Sequence, residues 1–133
     1  MKKTHIWLRA ETKPLEQRTA LTPAGAKTLL DAGFRVTVED STQSIFPTDD
    51  YRSLGCAITA PGSWCDAPRD AFVLGLKELP DDTFPLEHRH IYFAHVYKGQ
   101  AGAEDVLRRY VEGGGTLYDL EFLTLDNGRR AAA

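Results

Sequence analysis

Two short apolar runs each deliver titratable groups at their ends. Ala71-Phe-Val-Leu-Gly-Leu76 leads directly into Lys77 and Glu78, and His90-Ile-Tyr-Phe-Ala94 leads into His95 and then Lys98. A lysine at its ordinary pKa of about 10.4 is a poor base at neutral pH, and becomes useful when burial or a neighbouring cation brings it toward about 7–8. An imidazole serves as acid or base without such tuning. Carboxylates beside these groups would raise both pKa values, which makes Glu78 and Glu121 candidates for setting the working range. Arg18 lies in a loop after the first apolar segment, and Arg129 and Arg130 follow the last one. Guanidinium forks grip carboxylates in a bidentate way, so these arginines could clamp a dicarboxylate. Hydration of charged groups at strand ends is the competing reading, and residue types alone leave both open.

The elements that must position these groups alternate between strand and helix. His5-Ile-Trp-Leu-Arg9 reads as a first strand. Thr22-Pro23 is a helix start, because threonine can cap the free amides and proline lacks the N–H that the first helical position would leave unpaired. This helix runs through Ala26, Leu29 and Leu30 to Gly33, and Phe34–Val38 follows as a strand. A short helix from Pro47 through Leu54 ends at Gly55, ahead of a third strand at Cys56–Thr59. Residues 60–70 are expected as a loop or broken helix, and the strands at 71–76 and 90–94 come next. Ala103–Val111 is expected to be helical, with Val106, Tyr110 and Val111 as its buried stripe. Gly113-Gly-Gly115 ends it, Thr116–Phe122 is the last strand, and Asp126-Asn-Gly128 is a turn signal. Such alternation predicts one domain over residues 1–133, an α/β, Rossmann-like open and mostly parallel sheet with helices on both faces. Ligands bind outside the carboxyl ends of the strands in such sheets, so two strands ending in titratable groups predict one site.

Composition narrows the function classes. The chain has 133 residues, 42% hydrophobic and 26% charged, as in a single globular domain. A net charge of −3 gives no electrostatic reason to expect nucleic acid or an anionic membrane as a partner. No apolar run reaches the roughly 20 residues of a spanning helix. Met1-Lys-Lys-Thr-His5 leads into only a short strand and does not read as a signal peptide. Cys56 and Cys65 lack a metal-binding pattern and are expected reduced, and the expected compartment is cytoplasmic. His88, His90 and His95 have no accompanying pattern that would fix a metal geometry. A dinucleotide site needs glycines in a strand-to-helix turn. Gly113-Gly114-Gly115 has the opposite order, and Gly99-Gln-Ala-Gly102 lacks the spacing. No cofactor site is therefore expected within these residues.

Taken together, the segments resemble the N-terminal part of the NAD-dependent, lysine-forming saccharopine dehydrogenases. The resemblance rests on Leu8–Glu16 with Arg18, Ala20-Leu-Thr-Pro23, Val38-Glu-Asp-Ser41, Gly62-Ser-Trp64 and Ala67-Pro-Arg-Asp70. It continues in Gly75-Leu-Lys-Glu78, Phe93-Ala-His95 with Tyr97-Lys98, Gly115–Phe122 and Gly128-Arg-Arg130. A looser similarity to alanine dehydrogenase and transhydrogenase N-terminal domains lies in Arg18, Ala20-Leu-Thr-Pro23 and Lys77-Glu78. The resemblance implies oxidation of saccharopine with NAD, followed by hydrolysis to L-lysine and 2-oxoglutarate, which completes lysine synthesis by the aminoadipate route. It further implies Lys77 as the base for the secondary amine and His95 as the acid–base group of hydrolysis. Glu78 and Glu121 would tune those two, and Arg18, Arg130 and Lys98 would serve the substrate. In that family the chain continues into an NAD-binding domain and then returns to complete the first domain. The expectation here is thus a catalytic-side portion that is inactive alone, lacks part of its packing, and depends on a cofactor domain in the same chain or supplied in trans. A stand-alone dicarboxylate or amino-acid binding module, an inactive remnant and an alanine dehydrogenase-like enzyme are the rival readings.

Overall fold

A computed structural model describes residues 3–80, 82–94 and 103–120. Six strands are β1 (His5–Leu8), β2 (Arg35–Glu39), β3 (Ala57–Thr59), β4 (Phe72–Leu74), β5 (Arg89–Tyr92) and β6 (Thr116–Asp119). They form one sheet in the order β3-β2-β1-β4-β5-β6, and every neighbouring pair is parallel. The expected α/β sheet is borne out.

The helices are α1 (Pro23–Asp31), α2 (Thr48–Arg52) and α3 (Ala103–Gly113), with a 3-10 turn at Ser63–Asp66. Helix α1 starts where Thr22 and Pro23 place it: the Thr22 side chain accepts a hydrogen bond from the Gly25 amide at 3.1 Å. It stops where Gly33 takes a φ of 95°. The segment read as loop or broken helix contains the 3-10 turn, entered through Gly62 at φ 81°.

Alternation along β1 separates the two faces. Trp7 joins Trp64, Val73, Leu86, Tyr92 and Tyr110 in one core, with Val106 and Leu117 packed against it. Leu8 joins Ala26, Val36, Val38 and Tyr51 in the other, covered by Leu29 and Leu30 of α1. Helix α3 therefore lies on one face, and α1 and α2 on the other, as a doubly wound sheet requires.

The expected stripe of α3 needs one correction. Val106 and Tyr110 face the core, but Val111 is 82% exposed and Arg109 is buried in its place. Val111 lies five residues beyond Val106, about 140° around the helix, whereas Tyr110 follows at the i+4 spacing. Arg109 is tolerated inside because its Nε donates to the Phe84 carbonyl at 2.9 Å and its guanidinium lies 4.6 Å from the Phe84 ring centroid. Gly113 and Gly115 end α3 against the 86–88 segment, where an added Cβ would come within 2.3 and 2.4 Å of the Leu86 carbonyl oxygen. That is the helix-ending role expected of the triple glycine, with close packing added. Leu107 of α3 and Tyr118 of the edge strand β6 are 44% and 50% exposed.

Candidate functional site

Strand order reverses between β1 and β4: the chain passes outward from β1 to β2 and β3, then returns to β4 beside β1. Register pairs Leu8 with Leu74, so both strands end at the same level. The loops leaving them, residues 9–21 and 75–78, flank the crevice where ligands of open α/β sheets bind.

Arg9 continues the inward register of Trp7 and is 2% exposed. Its Nη2 donates to the Lys77 carbonyl oxygen, and its Nη1 lies 3.8 Å from Glu11. Glu11 accepts hydrogen bonds from the Leu76 and Lys77 amides at 3.0 and 2.8 Å. Burial pulls the Arg9 pKa down, and the charge of Glu11 opposes that pull.

Further along the same loop, Leu15 adopts a φ of 65° and projects into solvent. The turn is held by the Gln43 side chain, which donates to the carbonyl oxygens of Lys13 and Glu16, both at 3.0 Å. Glu16 and Arg18 meet fork to fork, with Arg18 Nε and Nη2 donating at 3.0 and 2.9 Å. The Lys77 amine approaches the same carboxylate to 4.0 Å. Arg18 hydrogen bonds hold the Glu16 carboxyl at a pKa of about 2, and the Glu16 contact raises that of Arg18. Glu16, Arg18, Glu39, Ser41, Ser44 and Tyr51 are among the residues lining a shallow cleft over the ends of β1 and β2.

Glu39, at the end of β2, anchors one wall of this cleft. One carboxylate oxygen accepts from the Ala10 and Gly62 amides at 3.0 and 2.8 Å. The other accepts from the Trp7 indole and the Trp64 amide, both at 2.9 Å. Four donors on a 3% exposed carboxylate tie β1, β2 and the 3-10 turn together.

The structure thus brings Lys77 and Arg18, two of the sequence candidates, around the carboxylate of Glu16. Glu78 follows Lys77 and is half-buried. The carboxylate seen within reach of the Lys77 amine is that of Glu16. His95, Lys98, Glu121 and Arg130 lie outside the described residues. Sequence reasoning passed over Arg9, Glu11 and Glu39 as site-forming groups. Period-two alternation put Arg9 on the face of Trp7, and a charge in an inward register was the available signal. Among the described residues no group of three or more His, Cys, Asp or Glu could hold a metal ion, and Cys56 and Cys65 are unbridged.

The chain spans about a third of the length of the curated relatives it matches. A saccharopine dehydrogenase [NAD(+), L-lysine-forming] of Emericella nidulans is 64% identical over 96% of this chain and 34% of its own length. The proteins of that name from Candida glabrata and Schizosaccharomyces pombe are 61% and 58% identical, over 96% and 97% of this chain and 35% of each relative. The resemblance read from the sequence is thereby borne out. Among solved structures, transhydrogenase from Sinorhizobium meliloti superposes with a TM-score of 0.73 at 21% identity, covering 92% of this chain and 37% of that one. An L-alanine dehydrogenase gives 0.69 at 23% identity, over 94% and 34%. Both likenesses concern the fold. The family model described as alanine dehydrogenase/PNT, N-terminal domain, matches residues 7–133, and the chain belongs to that family.

Proposed function

We propose that this chain forms the substrate side of an NAD-dependent saccharopine dehydrogenase, which oxidises saccharopine and releases L-lysine and 2-oxoglutarate in the cytoplasm. The observation that carries this reading is the meeting of Lys77, Glu16 and Arg18 at the reversal of strand order, in a chain 64% identical to an enzyme of that name. In this reading Lys77 accepts the proton of the secondary amine as the C–N bond is oxidised to an imine. Water then adds to the imine carbon, and His95 moves protons as the carbinolamine collapses to free amine and ketone. Glu78 and Glu121 adjust the acidity of these two groups. Arg18, Arg130 and Lys98 take substrate carboxylates.

Glu16 occupies the fork that Arg18 would offer to such a carboxylate. A carboxylate ligand would exchange with it, taking the Arg18 fork and leaving Glu16 with the Lys77 amine at 4.0 Å.

NAD does not fit the described residues as a bound group. The described segments 9–22 after β1 and 40–47 after β2 contain no glycine, and the Gly62 amide in the turn after β3 is taken up by Glu39, so these turns supply no close backbone approach to a pyrophosphate. Its cradle is assigned to residues beyond those described, in the same polypeptide or in a partner.

The test is saccharopine-dependent reduction of NAD by a polypeptide of the relatives' full length that carries this N-terminal sequence, with L-alanine as the comparison substrate. Turnover with saccharopine and not with L-alanine is expected. Turnover with L-alanine alone would replace the reading with an alanine dehydrogenase-like one.

A further inference from the structure

Arg9 is the buried group that the proposed chemistry leaves unused, and its Nε has no hydrogen-bond partner. An ion pair buried this deeply brings little net stability over an apolar replacement, so its retention calls for another reason. The geometry points to one, which rests on the reading of Lys77 as the base: Arg9 and Glu11 form a positioning pair that fixes the peptide from which the Lys77 side chain emerges. Glu11 accepts the Lys77 N–H at 2.8 Å and the preceding amide at 3.0 Å, while Arg9 donates to the Lys77 carbonyl. Both polar ends of one residue's backbone are thus held by two side chains that also pair with each other at 3.8 Å. Gly75 completes the device. A Cβ there would fall 2.3 Å from Arg9 Cζ, so the guanidinium can pass under the end of β4 only beside glycine. Tyr92 closes the other side, its ring centroid 5.1 Å from the guanidinium carbon.

Lysine has four rotatable bonds in its side chain, and a rotation at its backbone moves the amine by more than an ångström. A misplacement of that size can lower a rate by about 10²-fold. Neither Arg9 nor Glu11 lies in the position of a proton acceptor for substrate, because both Glu11 oxygens are taken up by backbone amides and the Arg9 guanidinium is buried beneath the crevice. They act through Lys77.

The experiment compares Glu11→Gln, Lys77→Met and the double variant in the full-length polypeptide, with amide hydrogen exchange measured alongside kcat and KM. Glu11→Gln preserves shape and removes one of the two acceptors. Expected are faster exchange confined to the Leu76 and Lys77 amides, a fall in kcat of about 10- to 100-fold with KM within twofold, and no further fall when the substitution is added to Lys77→Met. Gly75→Ala, which displaces Arg9 without touching Glu11, should reproduce the same pattern. Equal losses in the wild-type and Lys77→Met backgrounds would make the pair a general structural support and overturn the inference. Unchanged exchange at Leu76 and Lys77 would overturn the clamp itself, whatever reaction the site performs. Undiminished turnover of Lys77→Met would remove the base assignment, and the positioning role with it.

Discussion

Glu39 and Glu16 line the same cleft and are held in opposite ways. Glu39 receives four N–H donors, three from the backbone and one from the Trp7 indole. Glu16 receives the Arg18 fork and backbone amide, with Lys77 at 4.0 Å. Main-chain donors belong to fixed elements, and a carboxylate saturated by them becomes part of the scaffold. Cationic side chains can exchange partners, and Arg18 is 68% exposed and free to do so. Two acidic residues on one crevice therefore separate into a structural anchor and an exchangeable one, by the donors they face and not by their own type.

Removal of the anchor should have the largest effect on the fold. Glu39→Ala strands four donors, two in buried and two in part-buried hydrogen bonds, and should cost about 3–5 kcal/mol of unfolding free energy, measured by urea denaturation. A loss below about 1 kcal/mol would erase the distinction between the two carboxylates. Arg18→Met tests the exchangeable one. It should raise KM for saccharopine about 10- to 100-fold, as expected when a charge-assisted pair is lost, with a smaller effect on unfolding than Glu39→Ala because the Arg18 side chain is largely exposed.

The same substitution carries a pH signature. The Glu16 carboxyl is depressed to about 2 in the folded chain, so its contribution is present above the ordinary carboxylate range and is lost as pH falls toward 2. Arg18→Met should return the Glu16 titration, followed by carboxyl NMR, toward the usual value near 4.3. A further pH effect is expected in the core beneath α3. His90 is fully buried among the rings of Trp64, Tyr92 and Tyr110, and burial lowers its pKa to about 3. A depressed histidine binds fewer protons folded than unfolded, so stability should decline as pH falls from about 6.5 toward 3. His90→Phe should flatten that decline and change stability at pH 7.5 by about 1 kcal/mol. An unaltered slope would show that His90 is not its source.

Much of this frame was legible in the residues. Thr22-Pro23 and Gly33 bracket α1 because capping and left-handed termination are local chemistry, and the strand–helix alternation gave the parallel sheet. Lys77 and Arg18 were legible as charges at element ends. The anchors were not. Glu39 binds partners from 23 to 32 residues away in sequence, three of the four through backbone amides that carry no residue signature. Glu11 reaches Leu76 and Lys77 across 65 and 66 residues in the same manner. Val111 misled because its apolar character matched the stripe while its phase did not.

The central claim is that the amine of Lys77 takes a proton at this crevice. Its most direct test is the single-turnover rate of Lys77→Ala in the full-length polypeptide with saccharopine and NAD, with and without a small primary amine in solution. A rate about 10²- to 10⁴-fold below wild type, partly restored by the added amine, is the predicted result. A rate equal to wild type, or one lowered and indifferent to the amine, would contradict it.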